Sequence, residues 1–166
     1  MKQTVTSTDI LGKTYSVSVK ELSWRPAVYA IIVKDNQLLL VKERGQFHLP
    51  GGGLDLGEKP EDGVKREARE ETGLIVDNPR LVGNLSTFFT YARHENWADL
   101  AHVQSLLLYY RCDLVGGELS TDGLEADEKA HDLRPEWVPI ADLPTIAVGS
   151  TVDWRPLVQA APKRQA

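Results

Sequence analysis

The segment Pro60–Thr72, PEDGVKREAREET, constrains this chain more than any other, because it reads as a helix whose existence apolar burial does not explain. Pro60 suits a first helical turn, Glu61 and Asp62 follow where the macrodipole favours negative charge, and Gly73 is a natural left-handed residue to end it. Val64 and Ala68 are its only apolar side chains. At 3.6 residues per turn, Glu67, Glu70 and Glu71 fall within about a 100° arc of one face. Like charges at that spacing cost roughly 0.2–0.5 kcal/mol per pair, and in the last turn they also oppose the dipole. Two readings follow. One is a solvated, salt-bridged face, helped by Arg66, Arg69 and the i,i+4 pairs Glu61–Lys65 and Asp62–Arg66. The other is a carboxylate cluster completed by a hard cation such as Mg²⁺, which takes carboxylate and carbonyl oxygens and leaves positions open for substrate phosphates. Pro50-Gly51-Gly52-Gly53 just upstream favours the second, because bare backbone can approach a ligand closely.

Elsewhere the chain reads as strands and helices of one domain, as 166 residues suggest. Residues 1–24 form an extension in which Thr14–Lys20 alternates like an edge strand, and 25–160 form the core. Val28–Val33 and Gln37–Lys42, joined at Asp35-Asn36, make a hairpin. The proline and glycines after Leu49 are expected to stop regular structure and form a loop. Arg80–Thr90 and Val103–Arg111 read as strands joined by a long polar segment, Tyr91–His102. Gly116–Arg134 reads as loop or short helix, Glu136–Pro139 as a short strand, and Val152–Ala160 as a last helix.

A balance of 19 basic against 24 acidic residues, net −5, argues against a nucleic-acid or anionic-membrane binder. One cysteine, Cys112, excludes an internal disulfide and a Cys-rich zinc site. No apolar run approaches the roughly 18 residues of a membrane helix, and the first residues lack a secretory apolar stretch. A cytoplasmic location is the expectation.

Gly52, Glu58, and Arg66-Glu67-Ala68-Arg69-Glu70-Glu71-Thr72-Gly73-Leu74 together resemble the Nudix box, GX5EX7REUXEEXGU with U apolar, at every specified position. A chance match somewhere in the chain is on the order of 10⁻⁷ at ordinary residue frequencies. Looser resemblance extends to Phe47-His48-Leu49-Pro50-Gly51-Gly52 and to Glu136-Trp137-Val138-Pro139 with Asp142-Leu143-Pro144. The resemblance implies an α/β/α sandwich with a mixed β-sheet and Mg²⁺- or Mn²⁺-dependent hydrolysis of a nucleoside diphosphate linked to a further group. Carried over by position, Glu67, Glu70 and Glu71 would hold metal together with the carbonyl of Gly51, as in MutT-like members. Glu58 and Arg66 would support the site through charge and hydrogen bonds. The acidic residue that many members add from the C-terminal half falls among Glu125, Asp127 and Glu128, and spacing does not choose between them. A homodimer is also compatible with the family.

The sequence departs from common family usage at Lys59, where Ser or Thr often caps the helix, and at Gly63, where the usual Ala would be about 1 kcal/mol better. Both soften the expected helix start. Candidate contacts to a small nucleotide-type substrate are Arg44 beside the hairpin, Tyr91 and Trp97, against bland roles as a strand-end charge, a strand aromatic and a loop anchor. Tyr91 stands where dinucleoside polyphosphate hydrolases resemble one another in having a tyrosine. The proline that ADP-ribose hydrolases tend to carry past the box is missing near Phe88–Thr90, which argues against that subclass. His94 and His102 fit no zinc pattern. The rival within the same fold is a non-catalytic nucleotide-sensing module, which often loses box glutamates that this chain keeps.

Overall fold

Alternation of side chains along two apolar strands decides the architecture. The computed structural model describes residues 3–92, 100–124 and 133–160. Nine strands run through them: β1 (Thr4–Thr8), β2 (Thr14–Ser18), β3 (Leu22–Lys34), β4 (Gln37–Glu43), β5 (Gln46–His48), β6 (Gly51–Gly53), β7 (Leu74–Ala92), β8 (Leu100–Gly117) and β9 (Arg134–Pro139). Helices α1 (Pro60–Thr72) and α2 (Arg155–Ala160) accompany them. Along β3, Ala27 and Ile31 turn to one face, where they meet Leu38, Leu40, Trp154 and Val158. Val28, Ala30 and Ile32 turn to the other, against Leu39 and the Val64–Ala68 stripe of α1. The mixed sheet thus has α1 on one face and the C-terminal segment with α2 on the other, an α/β/α sandwich.

The strand order is β2-β1-β7-β8-β3-β4-β5, with β6 pairing β3 and β9 pairing β4. β3 runs parallel to β8 and antiparallel to β4 and β6; β1 is parallel to β7 at Thr8–Phe89. The hairpin turn expected at Asp35-Asn36 forms, both residues taking positive φ of 48° and 60°, as a two-residue turn matching strand twist requires. One edge of β3 is divided: Ala27–Tyr29 pair with Gly53–Gly51, whereas Val33 and Lys34 pair with β4. The sheet splits between these two partners, and a cleft opens there.

Four expectations need correction. Gly51–Gly53 is a strand rather than a loop, because pairing with β3 compensates the ordering cost, and at Gly51 a Cβ would meet β3 backbone. β7 and β8 are longer than the apolar runs suggested; register shifts at Ile75/Val76, Asp77/Arg80 and Leu81/Gly83 carry β7 past Pro79. Gly116 belongs to β8 rather than to a loop. Lys65 pairs with Asp77 across to β7 (Nζ–Oδ1 2.5 Å) instead of with Glu61, and Arg66 turns to Glu58 instead of Asp62. Lys59 does cap α1 without a side-chain bond, and Gly73 ends it at φ 74° with its N–H donated to the Arg69 carbonyl. Gly63 has a packing reason, since a Cβ there would lie 2.4 Å from Leu54 Cδ2. β1 was not anticipated; β2 is the expected edge strand.

Candidate active site

The helix face carrying the carboxylates turns inward. Glu67 and Glu71 are each 8% exposed, and with Glu70 they line a cavity of about 620 Å³ in the cleft where the sheet splits. Burying charge requires partners, and the neighbouring strand supplies them. The Gly51 N–H donates to Glu71 Oε2 at 2.8 Å. A Cβ on Gly52 would lie 2.7 Å from a Glu67 carboxylate oxygen, so the bare backbone of β6 lets that carboxylate keep its place.

Arg66 organises the rest. Its guanidinium grips Glu58 with two bonds, Nε to Oε1 at 2.8 Å and Nη2 to Oε2 at 2.9 Å. Nη1 donates to both Glu67 Oε1 and Glu70 Oε2 at 2.9 Å, and Nη2 also reaches the Gly53 carbonyl at 3.1 Å. These bonds hold the guanidinium charged, its pKa pushed up first by Glu58. Repulsion among the carboxylates, the objection to this helix as a structural element, is therefore offset by one arginine.

The Arg66 bond also holds the Glu58 carboxyl below its ordinary 4.5, against a smaller opposing effect of burial. A carboxyl with a depressed folded-state pKa stabilises the fold above its ordinary value and loses that contribution as pH falls through the folded one. The melting temperature should accordingly drop as pH falls below about 4.5, and Glu58→Gln should flatten that limb; an unchanged limb would show that the pair contributes nothing.

Among the described residues, no group of three or more His, Cys, Asp or Glu side chains is placed to hold a metal ion as it stands. The residue types nevertheless suit a hard divalent cation: Glu67, Glu70, Glu71 and Gly51 all line one cavity. The other residues singled out in the sequence distribute differently. Arg44 occupies the tight turn between β4 and β5 at φ 47° and is not among the cavity's lining residues. Tyr91 is 39% exposed and stacks on Phe89, with ring centroids 6.0 Å apart, also outside the cavity lining. Trp97, His94, Glu125, Asp127 and Glu128 lie outside the described residues.

Arg25, Tyr29 and His48 are among the lining residues that the sequence did not single out as site residues. Arg25 and Tyr29 share parity along β3, and that alternation was the available signal. Burial, with the Glu71 and Glu67 charges, raises the Tyr29 pKa against the opposing Arg25 guanidinium. His48 is pushed down by burial, with Glu43, 3.8 Å away, opposing.

With this geometry in place, the comparisons with known proteins agree on the class. The family model described as the NUDIX domain matches residues 23–157. An ADP-ribose pyrophosphatase of Methanocaldococcus jannaschii is 33% identical over 141 residues, covering 76% of this chain and 78% of that protein. A Vibrio parahaemolyticus protein named NAD-capped RNA hydrolase NudC is 28% identical over 131 residues, and the match spans 43% of its length. Among solved structures, an ADP-ribose pyrophosphatase from Streptococcus suis aligns with a TM-score of 0.59 at 25% identity, covering 86% of this chain and 94% of that one. The chain belongs to the Nudix hydrolase family.

Proposed function

We propose that this protein hydrolyses a phosphoanhydride bond in a nucleoside diphosphate linked to another group, with a divalent cation held by Glu67, Glu70 and Glu71 and the Gly51 carbonyl. The observation that carries this reading is the inward face of α1: two nearly buried glutamates and a third line one cleft beside a strand of three glycines. Mg²⁺ or Mn²⁺, when bound, would neutralise diphosphate charge and lower the pKa of the attacking water.

The chain's own residues do the remaining work. Glu67 and Glu71 are fixed by Arg66 and by the Gly51 amide, so their oxygens enter the cleft with little freedom left to lose. Arg66 also ties Glu70 to Glu58, and its bond to the Gly53 carbonyl holds the helix against β6. Arg25, which also lines the cleft, offers a cation to substrate phosphate. Breaking a phosphoanhydride demands mainly positioning and charge neutralisation, which such a site supplies.

Among linked groups, nucleoside triphosphates and dinucleoside polyphosphates fit the cleft chemistry. The relatives named for ADP-ribose add ADP-ribose as a third candidate, despite the missing proline. The test is phosphate release and chromatography on a panel of these nucleotides and nucleotide sugars, with Mg²⁺ and with EDTA, using Glu70→Gln as control. Metal-dependent cleavage of one class, abolished in the variant, is expected. No turnover across the panel, together with tight nucleotide binding by calorimetry, would instead favour the sensing module.

A further inference from the structure

The β1–β2 hairpin precedes residue 23 and so lies outside the span that the family model matches. Its tip is nonetheless built to a definite shape. Asp9, 2% exposed, accepts bonds from the Leu11 and Lys13 amides at 2.9 Å and from the Tyr15 hydroxyl at 2.8 Å. Gly12 takes φ 81° to close the turn. Thr8 pairs with Phe89 of β7, and the Ser7 and Thr90 hydroxyls meet at 2.6 Å in a buried contact that fixes the hairpin to the sheet. This anchoring holds Ile10, 51% exposed, at the rim of a second cavity.

That cavity has a volume of about 140 Å³ and walls formed by Ile10, Phe89, Leu107, Tyr29, Arg25 and Thr151. Arg25 and Tyr29 also line the acidic cleft, so the two spaces adjoin. A cavity of roughly 150 Å³ with apolar walls accepts a single aromatic ring. Here the walls are apolar on several sides, while Thr87 and Thr151, whose hydroxyls lie 3.4 Å apart, give polar groups at the edge. Apolar walls with a few placed hydroxyls describe a site for a planar heterocycle. The Ser105 hydroxyl donates to the Arg25 carbonyl at 2.6 Å and fixes the backbone from which the guanidinium extends over Gly53.

We propose that Ile10, supplied by a hairpin outside the span the family model matches, is a specificity-determining residue of this chain: it closes one side of the second cavity, to which the acidic helix contributes none of the described lining residues, and meets the base of the nucleotide whose diphosphate lies on the acidic cleft. The inference rests on the hydrolase reading for its orientation, but the cavity itself does not. Arg25, shared by both spaces, would sit beside the phosphate nearest the ribose.

Two measurements test this. Steady-state kinetics on the nucleotides cleaved in the panel should show KM raised about tenfold in Ile10→Ser and Phe89→Leu, from lost ring contact, with kcat within about threefold. The preference among bases should narrow in both variants. Leu11→Ser, on the same turn but outside the cavity, should leave both constants at their starting values. Saturation-transfer NMR with adenosine 5′-monophosphate, without metal, should show contact to the base protons that weakens in Ile10→Ser and Phe89→Leu. Unchanged KM and unchanged transfer in both variants would overturn the proposal. Absence of turnover, with transfer seen and lost in the variants, would reject the hydrolase reading while supporting the base site.

Discussion

Replacing Glu70 or Glu71 by Gln is expected to lower kcat by about two to four orders of magnitude while leaving the fold intact. The amide is nearly isosteric, so in Glu71→Gln the side-chain carbonyl can still accept the Gly51 N–H that Glu71 accepts at 2.8 Å. What is lost is negative charge facing the cleft. Melting temperatures should stay within a few degrees of the parent, whereas the rise on adding Mg²⁺, expected of any ion that binds only the folded state, should shrink or vanish. Glu61→Gln is the matched control: it removes a carboxylate from the same helix at its exposed start, away from the cleft, and should change stability by no more than about 0.5 kcal/mol. Full activity in both Glu70→Gln and Glu71→Gln would refute the metal-site assignment.

The adjacent glycines should fail in different ways. Gly51 has φ 148°, and a Cβ there would lie 2.1 Å from the Val28 carbonyl oxygen and 2.7 Å from Tyr29 Cα. Both obstacles are backbone, so Gly51→Ala must push β6 off β3. Backbone strain and overpacking together should cost at least about 3 kcal/mol, a fall in melting temperature of roughly 6–12 °C for a domain of this size. In Gly52→Ala the added Cβ meets only the carboxylate end of Glu67. A side-chain end gives way more cheaply than backbone, so the variant should lose less stability than Gly51→Ala yet lose activity as Glu67 leaves its place. Equal losses of stability in the two variants would show that the glycines serve packing alone.

The helix and its carboxylate face were legible in the sequence because every feature is local: proline at the start, glycine at the end, charges at helical spacing. The hairpin of β3 and β4 was legible for the same reason. What escaped depends on partners distant in the chain. Gly51–Gly53 becomes a strand only because Ala27–Tyr29 are present to pair with it. Alternation puts Arg25 and Tyr29 on one face of β3, but that this face borders the site depends on the pairing with β6 and not on anything local. The salt-bridge partners of Lys65 and Arg66 were misread for a related reason: i,i+4 spacing brings Glu61 and Asp62 near, but Asp77 and Glu58 compete from outside the helix and win. The alternating polar segment near the N-terminus suggested an edge strand; its partner β1, short and rich in threonine, carried no apolar pattern to mark it.

The divided edge of β3 has a consequence for how the molecule opens. Ala27–Tyr29 are bonded on one side to β8 and on the other to β6, with packed layers above and below. Amide hydrogens of Val28, Ala30 and Gly51 should therefore exchange with solvent only when the whole chain unfolds. The β1–β2 hairpin, held to β7 by the Thr8–Phe89 pair and the Ser7–Thr90 contact, should open locally and exchange far sooner. The two borders of the acidic cleft's neighbourhood would then differ in mechanical grade: a strand pair that holds its shape as long as the chain is folded, beside a hairpin that yields first.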